Sequence, residues 1–183
     1  MIDPGEMLFA VDKNNQPIAP VPRKLAHEKA IWHRVTDIWV INSTKVLCQQ
    51  RSHKKDTNPG KWQVQFGGHM APGQSFAANA VIELREETGI ELPESSFTQL
   101  MIHKNSHSDP ITHIEDREFL GVMACEWNGD VNNIHLEEDE VQQVVWKEAA
   151  EIQKHIGVDP NWVNHGYEQE LLPKIIDKNW GEL

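Results

Sequence analysis

Residues 67–90, GGHMAPGQSFAANAVIELREETGI, constrain the fold more than any other stretch of the chain. A glycine-rich turn runs into a segment with helical periodicity. Ser75 suits an N-cap and Gly89 a left-handed C-terminal stop, which predicts a helix over 76–88. Phe76, Ala80, Val81, Leu84 and Thr88 form its inward stripe. Glu83, Glu86 and Glu87 lie three and four residues apart, so the helix gathers their carboxylates on one patch. Like charges so close repel, and a hard divalent cation with oxygen ligands relieves the repulsion. The plain alternative is a solvated acidic face, and spacing alone does not separate the two.

The wider pattern does. The stretch resembles the Nudix box, with Gly68, Glu83, Leu84, Glu86, Glu87, Gly89 and Ile90 at its fixed positions. Gln74 stands where the box has Glu, and Ile82 where it has Arg. The resemblance implies an α+β Nudix fold, a mixed β-sheet sandwiched between helices (α/β/α). It implies one domain over 1–183 with the box at 68–90. In the family the box arginine orients the glutamates and the missing glutamate helps hold metal. The two departures therefore predict a weakened metal site, because losing such supporting contacts costs about 10- to 100-fold in affinity or activity.

Composition narrows the partners. The net charge of -11 argues against duplex nucleic acid, which is bound by clustered Lys and Arg. It leaves room for a small anionic ligand at a local cationic strip. Cys48 and Cys125 give no disulfide framework, and the opening MIDPGEMLFAVDKNN lacks a basic n-region and apolar h-region. No apolar run reaches membrane-spanning length. These features predict a cytoplasmic protein.

Alternation and turn residues predict strands at 7–12 and 18–21 around Asn14-Asn15, and a hairpin of 35–41 with 45–50 around Asn42-Ser43-Thr44. Further strands are expected at 61–66, 97–103, 118–127 and 141–146. Helices are expected at 147–156 and at 168–178, the latter kinked or shortened by Pro173.

Outside the box, residues 7–146 resemble the isopentenyl diphosphate isomerase branch of the same superfamily. The carriers are His27, Ile31-Trp32-His33-Arg34, Gln50-Arg51-Ser52, Lys55, Pro59-Gly60-Lys61-Trp62 and Gly68-His69. The resemblance implies that Arg51 and Lys55 hold a diphosphate. It makes His27, His33 and His69 additional metal ligands, although the first interval is one residue short. Gly67 occupies the place of the isomerase's catalytic cysteine, and Glu118 matches its second catalytic residue. Isomerisation needs two positioned acid/base groups, and one is missing.

The leading expectation is therefore metal-dependent hydrolysis of a small-molecule diphosphate linked to another moiety. Mg²⁺ or Mn²⁺ would sit on Glu83, Glu86, Glu87 and the Gly68 carbonyl. Glu140, in HLEEDEVQQVVW, resembles the later-loop glutamate that serves as base in many such hydrolases and is preferred to Glu118. Isomerase-like activity, or a binding module with weakened catalysis, are the alternatives. Trp162, His165 and Tyr167 lie in a late segment read as a pocket wall.

Overall fold

The computed structural model describes residues 5–55, 57–108 and 115–180. A short hairpin pairs β1 (Met7–Leu8) with β2 (Val21–Pro22) and leads directly into α1 (Arg23–Glu28). The main sheet holds β3 (His33–Asn42), β4 (Lys45–Arg51), β5 (Trp62–Gln63), β6 (Thr98–Ser108), β7 (Glu115–Glu126) and β8 (Val141–Glu148). Helix α2 (Phe76–Thr88) follows β5, α3 (Ala149–Ile152) follows β8, and α4 (Glu168–Ile176) ends the described fold.

The sheet is mixed. β3 runs parallel to β7, and every other strand pair is antiparallel. β3 and β4 pair only beside their turn, at Ile41–Val46 and Asn42–Lys45. Beyond that point they diverge, and the chain after β5 changes partner. Trp62 and Gln63 pair with β4, whereas Phe66 and His69 bridge to Ile38 and Val35 of β3. The expected strand at 61–66 is therefore cut to Trp62–Gln63.

Alternation along β3 sorts its side chains between two cores. Val35, Trp39 and Ile41 pack with Leu171, Leu172 and Ile175 of α4. Ile38 and Val40 pack with Ala80 and Leu84 of α2. Full burial of an aliphatic side chain stabilises by about 1.5–3 kcal/mol, so both helices are held to the sheet chiefly by these stripes. The result is the anticipated α+β sandwich.

One expectation fails at β8. The helix expected over 147–156 shrinks to Ala149–Ile152, because Lys147 and Glu148 stay in register with Val46 and Lys45. Pairing with β4 overrides helix propensity there. Helix α4 holds Pro173 and ends at Ile176, short of the expected 178. No helix among the described residues is long and apolar enough to cross a membrane.

Candidate active site

Helix α2 presents the carboxylates. Ala78 N donates to Ser75 Oγ at 3.0 Å at its start, and Gly89 takes φ 70° at its end. Glu87 is buried; its Oε1 accepts from Gly67 N at 3.1 Å and its Oε2 from Gln49 Nε2 at 3.2 Å. Glu83 is half-buried and Glu86 exposed at the rim. Burial, then the charges of Glu87 and Glu86, push the Glu83 carboxyl up to about 8. Burial and the Glu140 charge push Glu87 up to about 7 against the pull of the Gly67 amide. Oxygen donors that resist joint ionisation suit a hard divalent cation, although these three carboxylates do not converge within the 4.8 Å that the histidines below reach.

The turn before α2 sets out the two carbonyls that bear on the expected Gly68 ligand. Gly68 O accepts from Thr36 N at 2.9 Å and from Asn79 Nδ2 at 3.4 Å, so β3 and α2 occupy it. Gly67 O accepts no hydrogen bond among the described residues and belongs to the residue whose amide holds Glu87. Gln74 Oε1 folds back to accept from Ala71 N at 2.7 Å, and Ile82 brings no charge. Gln49 supplies the orienting contact to Glu87 that the box arginine would make. Sequence reasoning missed it; its only signal was an inward-facing Gln in an otherwise apolar stretch of strand.

Cationic groups share the cavity, about 1190 Å³, with these carboxylates. Arg51 is fixed from below: Nε and Nη2 donate to Thr57 O at 3.1 and 3.0 Å, and Nη1 to Gln63 Oε1 at 3.0 Å. Lys55 Nζ pairs with Glu140, and Lys54 with Asp139. Ser52 N and Oγ bond the Glu140 and Glu138 carbonyls, each at 2.9 Å. Arg23, unremarked in the sequence, also lines the cavity and pairs with Glu6 at 3.0 Å.

The three histidines converge. One ligating atom from each of His27, His33 and His69 lies within 4.8 Å of the others. His33 Nδ1 meets Ile31 O at 2.9 Å, while Nε2 of His33 and of His69 is buried with no hydrogen-bond partner among the described residues. Desolvation pulls His33 down to about 4 and His69 well below the usual imidazole range. Neutral imidazoles with orphaned nitrogens fit a transition-metal ion. Asp116 approaches His27 Nε2 at 3.2 Å, a neighbour the sequence reading did not name. Two residues along β7, Glu118 accepts from Asn105 Nδ2 at 3.0 Å; desolvation raises it to about 7. Gly67 has φ 126°, and a Cβ there would lie 2.0 Å from Thr36 O, so this backbone has no room for a cysteine.

The NUDIX domain pattern matches residues 31–165. The chain belongs to the Nudix family. A protein named as an uncharacterized Nudix hydrolase of Clostridium acetobutylicum is 30% identical over 95% of this chain and 88% of its own length. An isopentenyl-diphosphate Delta-isomerase of Photorhabdus laumondii is 27% identical over 85% of each chain. Among solved structures, DR0079 of Deinococcus radiodurans superposes with a TM-score of 0.68 over 93% of this chain and 99% of its own, at 19% identity. The Nudix domain of Shewanella oneidensis NrtR, crystallised with ADP ribose, gives 0.54 over 80% and 86% at 15% identity, a likeness of fold. This Nudix protein is thus an enzyme of the hydrolase type that lies near the isomerase branch.

Proposed function

We propose that the protein hydrolyses a diphosphate linked to another moiety, with a divalent cation held by Glu83, Glu86, Glu87 and Gly67 O. The observation that carries this reading is the single cavity in which crowded α2 carboxylates face Arg51 and Lys55. Mg²⁺ or Mn²⁺ bound there supplies charge neutralisation on the phosphates and a more acidic water. Arg51, already pre-set by Thr57 and Gln63, and Lys55 hold the distal phosphate. Lys55 leaves Glu140 when it does so, which frees that carboxylate as a base. Glu140 takes a proton from the attacking water, a P–O bond forms to the hydroxide and the bridging P–O bond breaks. Glu140 is preferred to Glu118 because its charge acts on both Glu83 and Glu87. Glu118 instead faces Asp116, Asn105 and His165.

His27, His33 and His69, with Asp116 beside them, form a second candidate metal centre, of which His27, His69 and Asp116 line the same cavity and His33 is fully buried. The NrtR domain's ADP ribose is itself a diphosphate with a linked moiety, which supports the substrate class. The two buried free cysteines support a reducing compartment, and we place the protein in the cytoplasm. The isomerase alternative lacks its proton donor at Gly67. A panel of nucleoside diphosphates, dinucleotides, sugar nucleotides and prenyl diphosphates, assayed with Mg²⁺ and Mn²⁺ beside Glu87→Gln, tests the reading. Metal-dependent release of phosphate products that Glu87→Gln abolishes supports it. Tight binding without turnover at high Mn²⁺ replaces it with a binding module.

A further inference from the structure

Away from the α2 carboxylates, the cavity ends on a buried polar network. Tyr167 Oη donates to Asp37 Oδ2 at 2.7 Å and accepts from Gln65 Nε2 at 3.0 Å and Trp39 Nε1 at 3.4 Å. Gln65 Nε2 also reaches Glu168 Oε1 at 2.6 Å. Glu168, fully buried at the start of α4, takes the His165 backbone amide on both oxygens at 3.0 Å and lies 3.3 Å from its Nδ1. Such a carboxylate fixes the ring and leaves Nε2 for another partner. Burial opposes a charge on His165, but Glu168 and Asp37 outweigh it and raise the imidazole to about 9, so it is a cationic donor.

The scaffold leaves three groups open. Asp37 is 7% exposed, and its Oδ1 has no hydrogen-bond partner among the described residues. Gln65 is 2% exposed, and its Oε1 is likewise without one. His165 Nε2 makes no hydrogen bond within the described residues. All three residues line the cavity; of its apolar members Val35, Phe66, Leu120, Trp162 and Val163 are each at most 8% exposed, and Val158 alone among these named residues is strongly exposed, at 81%. Two acceptors beside one donor match hydroxyl groups, which donate and accept at once.

We propose that Asp37, Gln65 and His165 form a subsite for the hydroxyls of the moiety attached to the diphosphate, so the substrate is a glycosyl- or ribosyl-bearing diphosphate and not a prenyl diphosphate. This rests on the hydrolase reading for the position of the phosphates. A site built to hydrogen-bond a hydroxyl rejects an analogue lacking it by as much as about 10⁴-fold, because its buried polar groups are then left unpaired. A prenyl chain seated on this floor meets that penalty.

The test measures binding and turnover separately, with ADP-ribose and dimethylallyl diphosphate as probes on the full chain with Mn²⁺. ADP-ribose is expected to bind at least about tenfold more tightly. Asp37→Asn, and the more exposed His165→Gln should Asp37→Asn not fold, are each expected to raise the KM for ADP-ribose about tenfold or more with kcat nearly constant. Preferential ADP-ribose binding that these variants abolish, with neither compound cleaved, upholds the subsite and removes the hydrolase reading. Cleavage of both compounds with equal or lower KM for the prenyl one upholds the hydrolase and overturns the subsite. Failure of both compounds to bind, or affinity for ADP-ribose that neither variant changes, also overturns it.

Discussion

Glu87 holds the site's conflict in one side chain. It is buried among like charges, yet Gly67 N and Gln49 Nε2 aim two donors at it. Glu87→Gln keeps an acceptor for the Gly67 amide and removes the charge. Steady-state assays of this variant are expected to show kcat lower by about 10²-fold or more, as for loss of a principal metal ligand. Its melting temperature in EDTA is expected to equal or exceed that of the parent, because the repulsion has gone. A variant that is both active and destabilised would point to a structural ion pair in place of a metal ligand. Gly67 gives a second residue-scale prediction. Gly67→Cys restores the isomerase-like side chain but forces a non-glycine residue to φ 126° against Thr36 O. Backbone strain of this kind costs about 1–3 kcal/mol before the clash is counted. Differential scanning calorimetry should show the loss, and proton exchange into an allylic diphosphate should stay at background. Exchange above background in a stable Gly67→Cys protein would falsify this account of the turn.

At the scale of elements, α2 was legible because all that specifies it is local. Its cap, apolar stripe, acids and terminal glycine lie within one short stretch, and the structure places the helix over the same residues. Ser75→Ala removes the acceptor of Ala78 N and is expected to cost about 1 kcal/mol in urea unfolding at unchanged m-value. Segment 61–66 was misread because its pairing is divided between β4 and β3, a division that no local pattern records. Lys147 and Glu148 read as helical until β4 claimed them. The polar groups of the site divide in the same way. Glu83, Glu86, Glu87, Arg51 and Lys55 announce themselves in motifs. Gln49, Asp37 and Gln65 matter only through cross-strand neighbours that become visible once β3, β4 and the segment after β5 are set side by side. Asp116 left a faint signal, since it alternates with Glu118 on one face of β7.

For the whole molecule, these buried groups set a pH dependence whose sign follows from the direction of each shift. Above pH 6.5 the buried histidines His33 and His69 are neutral both folded and unfolded, so they contribute nothing further. Glu83, Glu87 and Glu118 are raised from 4.5 to about 8, 7 and 7. Each holds a proton in the folded state that the unfolded chain has released. Their contribution is complete below about 4.5 and is lost as pH rises through 7 to 8. His165, raised from 6.5 to about 9, contributes fully below 6.5 and loses its share as pH rises through 9. All four act in one direction from pH 6.5, Glu87 and Glu118 up to about 7, Glu83 up to about 8 and His165 alone from there to about 9, so the metal-free protein is expected to lose stability fastest just above pH 6.5 and more slowly toward 9. For a chain of this size each kcal/mol lost lowers the melting temperature by about 2–4 °C. Scanning fluorimetry in EDTA should record the decline, with a shallower slope in Glu87→Gln. Mn²⁺ competes with protons for the same carboxylates, so its stabilising effect should be larger at pH 8 than at pH 6. A melting temperature that stays flat in EDTA would mean that these carboxylates are already ionised and paired. The α2 patch would then have no unmet charge for a cation to neutralise.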